Sequence, residues 1–279
     1  MYRATLIALF YLLLGNTQCL AQGFSYDGNR WYEIEVSIFT NQGLPDANPE
    51  LFLPDDVSLS YPSPILELIP LSQFYSVDFP LSSSSGSPVN AAEQMAESSE
   101  PLIGPVYRAA NNNFRKVDKL RDAFIALDES AHEFTRYNRN LELSPNHRLL
   151  YHAVWRQPVL NKVQASAIQI IGGDRFGAHS ELEGSLTISY NINRVDIDAL
   201  LWRNVFNISS ELDWDVPLPP LSEHTETDNP GLVIERVYPM LQTRQTISNQ
   251  LHYLDHPAFG MLVEVRPYEL PPLVDFSLD

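Results

Sequence analysis

The sequence predicts an α+β protein: a mainly antiparallel sheet of six or seven strands, one amphipathic helix and two long irregular insertions. Three observations lead there. Apolar and polar residues alternate with period two in several stretches, beginning with Tyr32, Ile34, Val36 and Ile38 against Glu33, Glu35 and Ser37. One stretch, from Val117 to Phe134, instead places apolar residues at steps of three or four. Two further segments are rich in proline, which removes a ladder donor wherever it occurs. A partly closed barrel is the alternative architecture for the same strands.

The N-terminus reads as a secretory signal. Arg3 is its only charge, Ala4 to Leu14 form an apolar run, and Cys19-Leu20-Ala21 offers small residues around a cut after Ala21. The run is shorter than the roughly 20 residues a bilayer span needs. A retained anchor or a lipid on Cys19 stays open, although Asn16-Thr17-Gln18 lacks the small and apolar residues of a lipidation box. Cleavage would leave a single domain, 22–279, with no transmembrane segment. Cys19 is the only cysteine, so the mature chain would have no disulfide, thiolate metal site or cysteine nucleophile.

The charge balance is 18 basic against 35 acidic residues, −17 overall. Nucleic acid and anionic membrane surfaces would be repelled at long range. Solubility is the plain reading of the acidity.

Trp31 to Thr40 is the clearest strand, with Trp31 and Phe39 at the ends of its polar face and Asn41-Gln42-Gly43 ending it. From Leu44 to Pro101 prolines recur, and Leu81 to Glu100 is Ser-rich and low in complexity. That part reads as mobile, because it has too little apolar surface to offset its ordering entropy. Asn111-Asn112-Asn113 can cap a helix from about Phe114 to Ser130, with Arg136 as its furthest limit. Strands follow at His147–Arg156, Val163–Ile171 (ended by Gly172-Gly173-Asp174) and Leu182–Ile192, which turns through Asn193-Arg194 into Val195–Phe206. Asn207 to Gly231 is the second irregular segment. Leu232–Ile247 and Leu251–Val265 then read as a hairpin through Ser248-Asn249-Gln250.

Several groups of residues are candidates for chemistry. Glu33 and Glu35, ~7 Å apart on one strand face, fit either a glycosidase-type acid/base pair or a solvated face. His252, Asp255 and His256 suit zinc by residue type. However, Pro257 argues that the strand stops at Asp255, which leaves Asp255 to cap the turn and Gly260 to supply a positive φ. His132-Glu133 has no second histidine at the spacing of a zinc helix. Nucleophile-elbow, phosphate-loop and Ser-x-x-Lys signatures are absent from the sequence. Trp31, Trp155, Trp202 and Trp214 are candidate sugar-stacking rings or core; Trp202 shares a face with Asp196 and Asp198, which points to exposure. This leaves no catalytic residue, metal or cofactor expected. Arg244, His252, Tyr253, Asp255, His256 and Trp202 stand as candidate ligand contacts.

Four stretches resemble a known family. They are Trp31–Phe39, Leu149–Pro158, Leu182–Ser189, and Leu251-His252-Tyr253-Leu254-Asp255-His256-Pro257 with Phe259-Gly260 and Leu262-Val263. They are similar to the opening strand, central strand, hairpin start and closing signature of CsiV, a family of periplasmic cell-shape-integrity proteins of gamma-proteobacteria. The resemblance implies a non-enzymatic periplasmic protein that binds peptidoglycan. It also implies support of cell-wall biogenesis, by helping an outer-membrane lipoprotein activate a class A penicillin-binding protein. The sequence departs from the family in two places. Several arginines usually precede the closing signature, whereas here Arg244 is followed by Gln245, Thr246 and Ile247. An Arg-Tyr-Leu-His run usually follows the second hairpin turn, whereas here Arg194-Val195-Asp196-Ile197 stands. Fewer basic groups imply weaker contact with wall carboxylates or phosphates.

Overall fold

A computed structural model describes residues 28–41, 58–74, 118–208 and 232–272. The signal segment, the Ser-rich stretch and the expected start of the helix lie outside the described residues.

The described chain is mostly strand and forms two mixed six-stranded sheets rather than one sheet of six or seven strands. In chain order the strands are β1 (Trp31–Asn41), β2 (Ile65–Leu66), β3 (Ile69–Pro70), β4 (Ile125–Ala126), β5 (His147–Pro158) and β6 (Leu160–Asn161). Then come β7 (Ala167–Phe176), β8 (His179–Asn191), β9 (Arg194–Asn207), β10 (Val233–Thr246), β11 (His252–His256) and β12 (Phe259–Tyr268). The α-helix, α1, spans Thr135–Leu143. Sheet one has the order β11-β12-β1-β5-β4-β3; sheet two has β10-β9-β8-β7-β2, with β6 beside β8. The long neighbours are antiparallel, while β3–β4, β2–β7 and β6–β8 are parallel.

Alternation explains the shared core. Ile34, Val36 and Ile38 project from β1 and are fully buried, against Trp155 of β5 and Met261, Val263 and Val265 of β12. Ile168, Ile170, Leu186, Ile188, Ile197 and Leu201 face them from sheet two. Each such side chain contributes about 1.5–3 kcal/mol by leaving water. The indole of Trp155 is satisfied inside the core by Gln157 Oε1, 2.8 Å away. Polar side chains tie the two sheets together at two places. Gln242 of β10 donates to the Asp255 carbonyl of β11 at 2.9 Å, and Arg148 of β5 reaches Glu181 of β8.

Three local readings are corrected. First, residues 118–130 are not α-helix, although their apolar spacing is helical, and only a 3-10 turn forms at Glu129–Ala131. Asp118 Oδ1 accepts from the Leu120 amide and Asp122 Oδ2 from the Asp118 amide, at 2.9 and 2.8 Å. Such local bonds compete with the helical ladder. Phe124 then turns to a φ of 63°. Its amide donates to the Arg156 carbonyl and that of Leu127 to the Val154 carbonyl, so sheet one claims the backbone. The helix begins only at Thr135.

Second, β10 and β11 do not form a hairpin. β10 pairs with β9 and β11 with β12, so residues 247–251 cross from sheet two to sheet one. Alternation identifies strands but not their ladder partners. Third, β7 continues through Gly172-Gly173-Asp174 to Phe176, and β5 runs past Arg156 to Pro158. In β7 a register shift between Gly172 and Arg175 absorbs the glycines.

Candidate functional site

The closing segment folds as a tight strand–turn–strand. Its strand runs through His256, one residue further than Pro257 suggested. Alternation puts Leu254 in the core and turns Tyr253 and Asp255 to the opposite, solvent-facing side. His252 and His256 fall on the Leu254 side, so the three metal candidates do not converge. Among the described residues no group of three or more His, Cys, Asp or Glu is arranged to hold a metal ion.

Each candidate has a distinct environment. His256 is buried, and its Nδ1 accepts from the Ala258 amide at 3.1 Å, which makes it the cap of the turn. That role had been expected of Asp255. Asp255 is exposed and accepts instead from the Tyr253 hydroxyl at 2.6 Å. His252 Nε2 accepts from the Ile247 amide at 2.9 Å and so pins the crossover between sheets. Gly260 has no positive φ; its role is space. A Cβ there would stand 2.7 Å from the Tyr253 ring and 2.9 Å from that of Phe39. The two rings lie parallel, 9° between planes and 6.2 Å between centroids. Partial burial, then the bond to Asp255, hold the Tyr253 hydroxyl above the usual phenol range, so it remains a donor.

Arg244 is exposed on β10. The Gln242–Asp255 and Ile247–His252 bonds fix how β10 and β11 run past each other. Trp202 is fully buried rather than exposed. Leu59 and Tyr61 cover it, the Tyr61 ring edge-on at 5.1 Å. Its indole donates to Glu183, itself buried, at 3.1 Å. It presents no ring face to a ligand. Arg244, Tyr253 and Asp255 are thus the candidates that remain exposed.

Glu33 and Glu35 belong neither to a solvated face nor to an open acid/base pair. The segment leading into α1 lies over them and leaves Glu35 fully buried. Glu35 accepts from the Phe134 and Glu133 amides at 2.7 and 3.1 Å. Arg266 Nη2 bridges it to Glu33, at 3.0 and 3.2 Å. Arg156 holds Glu33 from the other side at 2.6 Å and lies over the Tyr268 ring. The sequence carried a signal of this cluster in Arg156 and Arg266, each an arginine closing an apolar strand opposite Glu33.

The cluster makes stability depend on acidity. Burial pushes the Glu35 carboxyl up, but His152, the two amides and Arg266 outweigh it and hold it below its ordinary 4.5. His132 rests edge-on against His152 with ring centroids 4.3 Å apart. Burial and then the neighbouring His152 lower its pKa from the ordinary 6.5. In both cases the unfolded chain takes up a proton before the folded one does, so stability falls with pH. The midpoint of urea denaturation is expected to be flat around neutrality. It should decline as pH drops below 6.5 and decline more steeply below 4.5. His132→Gln should remove the first decline only.

A family model described as "Peptidoglycan-binding protein, CsiV" matches residues 4–268, nearly the whole chain. No curated protein and no solved structure matches it. Among the described residues no helix is long and apolar enough to cross a membrane. With a match of that extent, running from the first residues through β1, the central strands and the closing β11–β12 hairpin, the chain belongs to the CsiV family of peptidoglycan-binding proteins.

Proposed function

We propose that this protein is a non-catalytic periplasmic module that binds peptidoglycan. In this reading it supports wall synthesis by assisting an outer-membrane lipoprotein in activating a class A penicillin-binding protein. Residues 1–21 serve as a cleaved signal and 22–279 as the mature domain. The observation that carries the reading is the family match across nearly the whole chain. Two features of the molecule support it. The paired carboxylates that a glycan-cleaving enzyme would need are committed to Arg156 and Arg266 beneath a covering layer. Of the candidate contacts, Tyr253 and Asp255 at the closing signature and Arg244 on β10 remain exposed.

Arg244 is the contact for wall carboxylates, and as a single guanidinium on an acidic chain it gives modest affinity. The test is co-sedimentation of mature chain with purified sacculi, followed by analysis of the supernatant for released muropeptides. The expected result is a pelleted protein and no release. Sedimentation no greater than that of a non-binding control leaves a scaffold that touches only protein partners. Released muropeptides would restore an enzyme.

A further inference from the structure

We propose that the part of the wall polymer recognised is its N-acetylated sugar backbone, one pyranose ring stacking on Tyr253 while Asp255 accepts from that sugar's hydroxyl or amide groups. This deepens the wall-binding reading and rests on it.

Tyr253 is held from several sides. Gly260 gives it a floor without a side chain, and a Cβ at that position would collide with both Tyr253 and Phe39. Phe39 lies parallel beside it and is itself buried, braced from the far side by the His147 ring, edge-on at 5.5 Å. His147 is fixed in turn by Ser144 Oγ, 2.9 Å from its Nδ1. The Tyr253 hydroxyl is tied to Asp255. Four strands, β11, β12, β1 and β5, therefore cooperate to hold one ring that remains 46% exposed. A ring fixed in this way loses little freedom when a ligand covers it.

The chemistry selects the occupant. The negative face of an aromatic ring attracts the slightly positive C–H face of a pyranose, and the sugar buries apolar area there. Its equatorial groups then extend beyond the rim of the ring, where the Asp255 carboxylate has acceptor capacity beyond the one bond from Tyr253. That carboxylate disfavours an anionic group directly on Tyr253 and leaves wall carboxylates to Arg244, while the −17 charge of the chain repels phosphate-bearing polymers at long range. A neutral amide- and hydroxyl-bearing sugar meets no such penalty. Leu251, 41% exposed and on the same side of β11, extends the apolar surface along the strand.

The experiment uses the mature chain, purified sacculi, and a soluble tetramer of N-acetylglucosamine as a probe free of stem peptides. Wild type is expected to bind both. Tyr253→Ala, with an unchanged thermal midpoint, should weaken both by about tenfold, and Tyr253→Phe should keep most of the binding. Asp255→Ala, which removes an exposed carboxylate and leaves the core intact, should weaken the tetramer several-fold and gives the answer if Tyr253→Ala does not fold. Wild-type binding to sacculi that neither Tyr253→Ala nor Asp255→Ala alters would overturn the sugar proposal and leave wall binding standing. Sacculus binding without any binding of the tetramer would do the same. A wild-type chain that pellets with nothing removes the wall-binding reading and this proposal with it.

Discussion

Glu35→Ala is expected to lower the thermal midpoint by roughly 6–20 °C. Breaking a buried ion cluster by removing one partner costs about 3–5 kcal/mol, and for a domain of this size each kcal/mol moves the midpoint by about 2–4 °C. Four consequences follow from one deletion. The Phe134 and Glu133 amides lose their acceptor. His152 loses its partner at 3.1 Å. Arg266 keeps Glu33 but loses the second carboxylate of its bridge. The covering segment keeps Phe134, which is 1% exposed, the amide bonds of Phe124 and Leu127 to β5, and the bond from the Tyr268 hydroxyl to the Leu120 carbonyl. Amide exchange should therefore rise first in residues 118–143. Glu33→Ala removes a carboxylate that is only partly buried, so its cost should be smaller. Equal costs for the two variants, measured by differential scanning calorimetry, would show that the buried layer does not depend on Glu35.

Gly184→Ala is expected to be at least as damaging and to yield little folded protein. Gly184 sits inside β8 at a φ of +136°, a conformation that side chains resist. A Cβ there would lie 2.1 Å from the Leu200 carbonyl oxygen and 2.7 Å from Leu201 Cα. Those are backbone atoms of β9, which no rotamer change can move aside. Backbone strain alone costs about 1–3 kcal/mol, and separating β8 from β9 adds the loss of core contacts around Leu186 and Ile197. Soluble yield and urea midpoint are the measurements. A folded Gly184→Ala chain of wild-type stability would mean that the strands approach less closely than described. The glycine in the Leu182–Ser189 stretch is thus a packing requirement between two strands.

Much of the fold is legible in the sequence because burial leaves period-two traces. β1, β5, β8 and β9 follow directly from alternation, and their inward residues form the core. Where alternation is read as half-burial, it misleads. Both faces of β1 are covered, and Glu35 and Ser37 are as inaccessible as Ile34 and Val36. The cover comes from a segment about a hundred residues away, which local pattern does not report. The same segment looked helical by its apolar spacing, yet Asp118, Asp122 and Phe124 turn it into an edge of sheet one. Trp202 shows the same effect on sheet two. Its aspartate neighbours on the strand suggest exposure, while Leu59 and Tyr61, remote in sequence, bury it. The candidate site was more legible. Strict alternation through Tyr253, Leu254 and Asp255 already separates outward from inward residues. The floor beneath Tyr253 was not legible, because it needs the register that places Gly260 opposite Asp255 and Phe39.

The proposed function comes down to one claim: the closing β11–β12 hairpin and the neighbouring β10 edge meet the cell wall. The most direct measurement is to map amide chemical-shift changes of the mature chain on titration with solubilised peptidoglycan fragments. Saturable changes are expected at Arg244, at Leu251 to Asp255 and around His147, with residues 118–143 and the Trp202 region unmoved. Absence of any change, or changes centred on Trp202 or on the outer face of α1, would contradict that claim.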